Sequence, residues 1–411
     1  MLTPQNQGST ARIAVPVRHR AADGPPGWLV ILLAASCGLT VANLYYAQPL
    51  LDMLRLTFHL DEGTVGALVT VTQIGYAAGM LLLVPLGDRL ENRRLVSTLL
   101  VVVTVAMAAA GLAPGFPVLL GAALIAGAAS VVAQILVPFA ADLAPDHTRG
   151  QVVGRVMSGL LAGILLSRTL GSLLAEAAGW RVVYLVSAAL MGVLAVTLRV
   201  ALPRRTPAAQ GSYGTLLRST FRLVRTHPVL RRRAVYQAAM FGAFSAFWTT
   251  VSYVLTDAPF HCSQIGIGLF ALVGAAGALV APLAGRWADR GRGRPMTGVA
   301  FVLCICALVL AMLGQHHIVL LVAAAVLLDL AVQSTLVVGQ HAIYQLDAGA
   351  RARLNSIYIA TFFLGGALGS QIGSMAFRFG GWTAVTGCAA VLPALALLLW
   401  LTDRTRRAKQ A

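Results

Sequence analysis

"LLVAAAVLLDLAVQSTLVVGQHAIY", residues 320–344, contains one carboxylate, Asp329, one imidazole, His341, and no lysine, arginine or glutamate. A hydrocarbon core is about 30 Å thick, and roughly 20 apolar residues in a helix rising 1.5 Å each will cross it. The stretch is long enough, and it does not alternate as a strand would. In lipid the backbone must satisfy its own hydrogen bonds, so an unalternating run of this length reads as a transmembrane helix with one acid deep inside it.

The same texture fills most of the 411 residues, of which 58% are hydrophobic and 11% charged, with a mean hydropathy of +0.79. Soluble domains carry about 25% charged residues. Twelve runs qualify as spans, near 28–54, 62–86, 95–115, 117–142, 151–176, 180–200, 234–256, 264–287, 295–314, 317–345, 353–377 and 382–402. The fold class is therefore an all-α membrane protein with twelve transmembrane helices. No apolar run precedes residue 28, so the first span itself is expected to direct insertion, without a cleaved signal peptide.

A net charge of +17 raises nucleic acid as a partner, but the placement of the charge answers otherwise. All but four of the 31 basic residues fall on one side of the expected spans. They occur in the tail with Arg12, Arg18 and Arg20, after even-numbered spans, and in the final tail with Lys409. The exceptions are Arg55, Arg181 and Arg378 on the other side and Arg168 within a span. The positive-inside rule then places both termini in the cytoplasm, with no nucleic acid implied. The cysteines Cys37, Cys262, Cys304, Cys306 and Cys388 suggest no disulfide framework, and neither they nor His316-His317 have metal-site character.

The one long polar connection, "RRTPAAQGSYGTLLRSTFRLVRTHPVLRRR" (204–233), divides the chain six spans from six. The expected units are a tail 1–27, a bundle 28–200, a basic cytoplasmic linker 201–233, a second bundle 234–402 and a tail 403–411. Within the linker, Tyr213, Leu216, Leu217 and Val224 recur at helical spacing while Arg218, Arg222 and Arg225 take other faces. That pattern suits either a helix lying on the membrane surface or a solvated basic linker. The halves also match at a nearly constant offset. Adding 202 carries Arg149 to Arg351, Gly163 to Gly365, Gly171 to Gly373, Ser172 to Ser374 and Gly179-Trp180 to Gly381-Trp382. Adding 201 carries Asp88, Arg89 and Arg93 to Asp289, Arg290 and Arg294. Two pseudo-symmetric six-helix bundles are expected, the parallel-repeat plan of one large class of secondary transporters.

The loop "GRWADRGRGR" (285–294) resembles the signature loop of the major facilitator superfamily, Gly-x-x-x-Asp-Arg-x-Gly-Arg-Arg, with Gly285, Asp289, Arg290 and Arg294 in the glycine, acid and base positions. "VPLGDRLENRR" (84–94) is similar, carrying Asp88, Arg89 and Arg93, with Val84 in place of the first glycine. The resemblance implies that these loops gate the cytoplasmic side, closing it in one state and releasing it in the other. An acid beside the positive N-terminal end of a helix, near Arg353 to Ser356, suits such a latch. "NLYYAQPLL" (43–51) is similar to a branch related to sugar, nucleoside and drug exporters.

"GILLSRTLGSLL" (163–174) resembles the span 5 motif of the family's drug:proton antiporters, but Ser167 and Arg168 replace its Gly-Pro. An arginine at a helix centre costs about 2.5 to 3.5 kcal/mol on insertion scales, which roughly six leucine-like neighbours offset. Arg168 is therefore expected to face protein, and its small neighbours to permit close approach at the seam between the halves. Asp329, Gln333, Gln340 and Tyr344 fall within about 60° on one helix face. By the resemblance, spans 1, 4, 7 and 10 line a central cavity, here with Asn43, Tyr46, Ser130, Gln134, Phe244 and Trp248 besides that stripe. Asp329, with Arg168, is the expected proton-coupling group.

These readings lead to a proton-coupled secondary transporter that exports a small organic solute by antiport. It uses the proton motive force rather than a cofactor, and it is monomeric in the bilayer. An uptake symporter and a non-transporting receptor of the same build are the alternatives. An enzyme is not expected, because one deep acid lacks a reactive constellation. No Gly-x-x-x-x-Gly-Lys-Ser/Thr loop is present to take ATP.

Overall fold

The computed structural model describes residues 24–145, 147–204 and 212–408. Expectations placed on the N-terminal tail with Arg12, Arg18 and Arg20, on 205–211 of the linker and on Lys409 lie outside the described residues. Among the described residues all regular structure is helical. The first half contains α1 (Gly27–Ala42), α2 (Ala47–Phe58), α3 (Glu62–Val65), α4 (Ala67–Leu82), α5 (Asn92–Gly111), α6 (Phe116–Ala129), α7 (Val132–Leu143), α8 (Arg149–Ala178) and α9 (Trp180–Ala201). A connecting helix α10 (Tyr213–Thr226) leads to α11 (Pro228–Thr256), α12 (Gln264–Ala271), α13 (Ala275–Asp289), α14 (Gly293–Leu313), α15 (Ile318–Tyr344) and α16 (Arg351–Ala408).

Ten segments among the described residues are long and apolar enough to cross a bilayer, and one of them, Arg351–Thr402, is long enough at 52 residues to cross it twice. The expected eighth span is split into α12, a 3-10 turn at Leu272–Gly274 and α13. The eleventh and twelfth run as one segment, α16, with non-helical backbone at Gly380 and Gly381. Breaks also fall inside expected spans, at residues 43–46 between α1 and α2 and at Ser130 and Val131 between α6 and α7. Pro49 has a part in the first, since without an N–H it cannot bond the carbonyl of Tyr45 four residues back.

The repeat offset has a structural counterpart. Gly179 (φ 82°) and Gly381 (φ 61°) both adopt left-handed backbone, which a Cβ would disfavour, and each precedes a buried tryptophan, Trp180 or Trp382. In the first half α1 packs on α8, where a methyl group on Gly163 would overlap the Gly38 carbonyl. In the second half α11 packs on α16, where one on Gly365 would overlap Ala238. This corrects the expectation that the small residues of α8 lie at the seam. Gly163 and Gly171 pack within the first half, the latter against Tyr46 and Val183. Thr169 and Ser172 meet Gly268 across the seam instead. Ser172 is nine residues from Gly163, and at about 100° per residue that is the opposite side of the helix.

Apart from that α8–α12 contact, the halves meet where α3 and α4 lie on α16 and α2 lies on α11. Large apolar side chains such as Val105, Val193, Val319, Leu368 and Phe379 coat the outside, as lipid contact requires.

Candidate functional site

Two polar regions lie along the seam at different depths. In the deeper one, Arg168 of α8 is buried, and its Nε donates to Gln48 Oε1 of α2 at 2.8 Å. Its guanidinium carbon lies 4.6 Å from the ring centroid of Trp248, 5.0 Å from that of Tyr45 and 5.6 Å from that of Phe244. Electron-rich ring faces stabilise a cation held out of water. Asp329 of α15 is also buried, and it accepts the Trp248 indole N–H at 3.1 Å. The two ions do not form a direct salt bridge. One indole of α11 links them, with its face toward the cation and its N–H on the carboxylate. Gly274, in the turn that splits the eighth span, lies between them: a Cβ there would stand 2.8 Å from Asp329 Oδ2 and 3.7 Å from Arg168 Nη1. The broken helix brings bare backbone to the ions.

The second region is a cavity of about 280 Å³ at the arginine-rich end, between α4, α7 and the start of α16. Asp88, Gln134, Asp142, Arg353 and Asn355 give it polar walls. Gln134 is held by its Nε2 donating to the Tyr76 hydroxyl at 3.2 Å. Gln340 and Tyr344 reach the wall through Asn355, donating to its Oδ1 at 3.2 and 2.9 Å. Eleven residues of α15 separate Asp329 from Gln340, which is about 16 Å along the helix. The polar stripe of span 10 therefore runs from the ions toward the cavity wall, which it meets at Asn355.

At the other end the halves are closed together. Arg378 Nη1 donates to Asp61 Oδ1 at 3.3 Å, and Gln371 Nε2 donates to the Gly63 carbonyl at 3.2 Å. The hydroxyls of Thr70 and Ser370 meet at 2.9 Å. Asp61 is held below the usual carboxylate range, chiefly by the Thr64 hydroxyl, which donates to it at 2.8 Å, with the Thr64 amide and Arg378 adding to the effect. On the far flank Glu176 accepts the Gln264 amide at 3.0 Å, tying the end of α8 to the start of α12.

Of the expected cavity residues, Gln134 lines the cavity while Phe244 and Trp248 surround Arg168. Asn43 and Tyr46 are turned elsewhere, which corrects their expected place on the cavity wall. Asn43 accepts the Ser187 hydroxyl at 2.6 Å and its amide lies 3.5 Å from Met191 sulfur, while Tyr46 is buried beside Ser187. Both tie the first span to α9. The break at 43–46 changes the helical phase, so Tyr45 and Gln48 face the seam instead. Ser130 is fully buried at the α6–α7 break, and Gln333 is half-buried on α15.

Of the expected gating residues, Asp88 shares the cavity with Arg353. Arg89 and Arg290 are exposed, Arg93 is half-buried and Gly285 has open space around it. Asp289 lies 3.3 Å from His341 Nδ1, and Arg294 sits 5.7 Å from the Trp400 ring centroid. Contacts missed in the sequence include Gln48 and Tyr45 on Arg168, the cross-seam bond from Gln73 Nε2 to Ser245 Oγ at 3.0 Å, and the Asp61–Arg378 pair. Pro49 hinted at the first; residues about 300 positions apart gave no local signal of the last.

The family model described as Major Facilitator Superfamily matches residues 30–312 and 256–411. An uncharacterized transporter, YgaY, of Escherichia coli O157:H7 is 40% identical over 372 residues, covering 90% of this chain and 94% of its own. A probable transporter of Streptomyces coelicolor, SCO4007, is 36% identical over 397 residues, covering 95% and 91%. The purine ribonucleoside efflux pump NepI of Escherichia coli is 24% identical over 382 residues, covering 91% and 93%. Among solved structures, the nucleoside transporter NupG superposes with a TM-score of 0.73 at 15% identity, covering 91% of this chain and 99% of its own.

Proposed function

The chain belongs to the major facilitator superfamily and is a multi-pass membrane transporter, and from that premise we propose that it exports a small organic solute by proton antiport. The observation that carries the reading is the coupling of Asp329 to Arg168 through Trp248. These three buried side chains come from α15, α8 and α11, and so from both halves of the molecule. An ionisable group buried within a membrane is expensive and marks an ion or substrate path.

In the proposed cycle, Asp329 is ionised while solute is held and takes a proton from the far side as solute leaves. Protonation removes one of two charges that share an indole, so Arg168 loses its nearest counter-charge and Trp248 is free to change partner. Because Trp248 is on α11 and Arg168 on α8, that exchange alters the attraction between the halves. The arrangement described above is then the inward-open state. The arginine-rich end, with both termini, faces the cytoplasm of a bacterial plasma membrane, and the Asp61–Arg378 contact seals the outside. Arg placement supports the orientation. The efflux activity named for NepI supports the direction. The transporter acts as a monomer, since both polar regions are formed within one chain.

The test uses everted membrane vesicles carrying a pH gradient and a panel of toxic compounds and metabolites, with gradient discharge read by a dye. A transported solute discharges the gradient in the unaltered protein and leaves it intact with Asp329→Asn. Undiminished discharge by Asp329→Asn overturns the role of this acid.

A further inference from the structure

The connecting helix α10 touches both halves at the rim of the cavity. Its Tyr213 hydroxyl donates to the Leu82 carbonyl at the end of α4 at 2.6 Å. One and a half turns on, Ser219 Oγ accepts from Arg353 Nη1 of α16 at 2.9 Å, and Arg353 is itself a cavity wall residue. Thr220 and Leu223 are buried beneath the helix. Arg231 closes its C-terminal end by donating to the Val224 and Arg225 carbonyls at 3.0 and 2.9 Å.

The opposite face is exposed and of one character. Arg218, Phe221, Arg222 and Arg225 fall within about 100° of one another at helical spacing. Phe221 is 53% exposed, flanked by guanidinium groups, and no Asp or Glu occurs from Ser212 to Arg233. Among the described residues none of the three arginines makes an ion pair. A soluble acidic partner would match the arginines but not the exposed ring between them. A bilayer surface matches both, with phosphates for the arginines and the acyl boundary for the ring.

We propose that the exposed face of α10 docks on anionic phospholipid, and that lipid bound there holds the cavity open by keeping Ser219 on Arg353. The anionic headgroups neutralise Arg218, Arg222 and Arg225, which otherwise repel one another along one face. Phe221 anchors the helix at the depth where Tyr213 and Ser219 can reach the two halves together. Lipid charge thereby becomes a regulator of access to the cavity.

The binding claim is tested on full-length protein purified from membranes of equimolar phosphatidylcholine and phosphatidylglycerol, with retained lipids counted by native mass spectrometry. The triple variant Arg218→Gln, Arg222→Gln, Arg225→Gln is expected to lower the ratio of retained phosphatidylglycerol to phosphatidylcholine on the order of a hundredfold. Lysine at the same three positions keeps the ratio, and each single glutamine variant lowers it by a smaller step. A ratio unchanged in the triple variant overturns the proposal. The coupling claim is tested with Ser356→Cys, a position in the cavity wall, labelled by a water-soluble maleimide in vesicles with or without phosphatidylglycerol and read peptide by peptide. Phosphatidylglycerol is expected to raise labelling several-fold with Ser219 in place and to have no effect with Ser219→Ala. Labelling indifferent to lipid charge in both chains overturns the coupling. Neither readout requires transport, so failure here is separable from failure of the proton-coupling reading.

Discussion

The two ends of the seam are built on different physics. At the end away from the arginines, backbone meets side chain at contact distance: a methyl group on Gly66 would overlap the Ser374 hydroxyl, and Gln371 bonds the Gly63 carbonyl directly. At the arginine-rich end the same pair of passes diverges around a cavity of about 280 Å³, and a Cβ on Gly87 would meet nothing closer than 3.6 Å. The closed end is short-range and steric, while the open end is polar, roomy and held by long side chains such as Arg353. Between them lies the buried Arg168–Trp248–Asp329 group, which belongs to neither end and touches both halves. The contrast teaches that small residues set the close approach where the halves meet, with the Asp61–Arg378 pair beside it, and that polar side chains line the space where the halves part.

The contrast can be strained at its centre first. Removing one buried ion leaves the other without its nearest counter-charge, an effect of about 3 to 5 kcal/mol for a buried pair. Arg168→Met is therefore expected to lower the denaturation midpoint sharply, and adding Asp329→Asn to recover much of the loss. A double variant no more stable than Arg168→Met would separate the two residues energetically. Next in size is the helix packing within each half. Gly163→Leu forces α1 off α8 and is expected to destabilise by about 1 to 3 kcal/mol or more, as overpacking does, whereas Gly285→Ala, in open space, changes the midpoint little.

A wedge at the closed end comes third. Gly66→Ala is expected to shift the population toward the state open on that side, read as faster maleimide labelling of Ser374→Cys. Gly87→Ala, the matching change at the open end, leaves labelling unaltered. The smallest effect belongs to the exposed Asp61–Arg378 pair. Exposed pairs contribute at most about 1 kcal/mol. Because Asp61 is held below its unfolded value, its contribution is present above the ordinary carboxylate range and lost as pH falls through the depressed one. Arg378→Gln is expected to weaken closure slightly at neutral pH, and the difference from the unaltered protein should vanish in acid.

Much of this was legible in the sequence because it was local or repeated. Span positions follow from apolar run length, the duplication from a constant offset, and the burial of Arg168 and Asp329 from the cost of placing an ion in lipid. Glycines at 179 and 381, each before a tryptophan, turned out to share backbone geometry as well as offset. What escaped was helical phase. Projecting side chains at 100° per residue assumes an unbroken helix, and the break at 43–46 sent Asn43 and Tyr46 toward α9 while Tyr45 and Gln48 reached Arg168. On the unbroken α8 the projection holds: Gly163 and Ser172 lie half a turn apart, so both could not face the seam, and Gly163 packs against Gly38. Asp61 and Arg378 come from distant segments, and no short-range pattern joins them.

The most direct test of the central claim records two spin-label distances in reconstituted protein as pH is stepped, one pair across each end. Thr57→Cys with Phe379→Cys spans the closed end, and Leu90→Cys with Arg351→Cys spans the open end. The account predicts that the distances change in opposite senses in the unaltered background and lose that response with Asp329→Asn. Distances that stay fixed, that widen together, or that respond identically in Asp329→Asn contradict it.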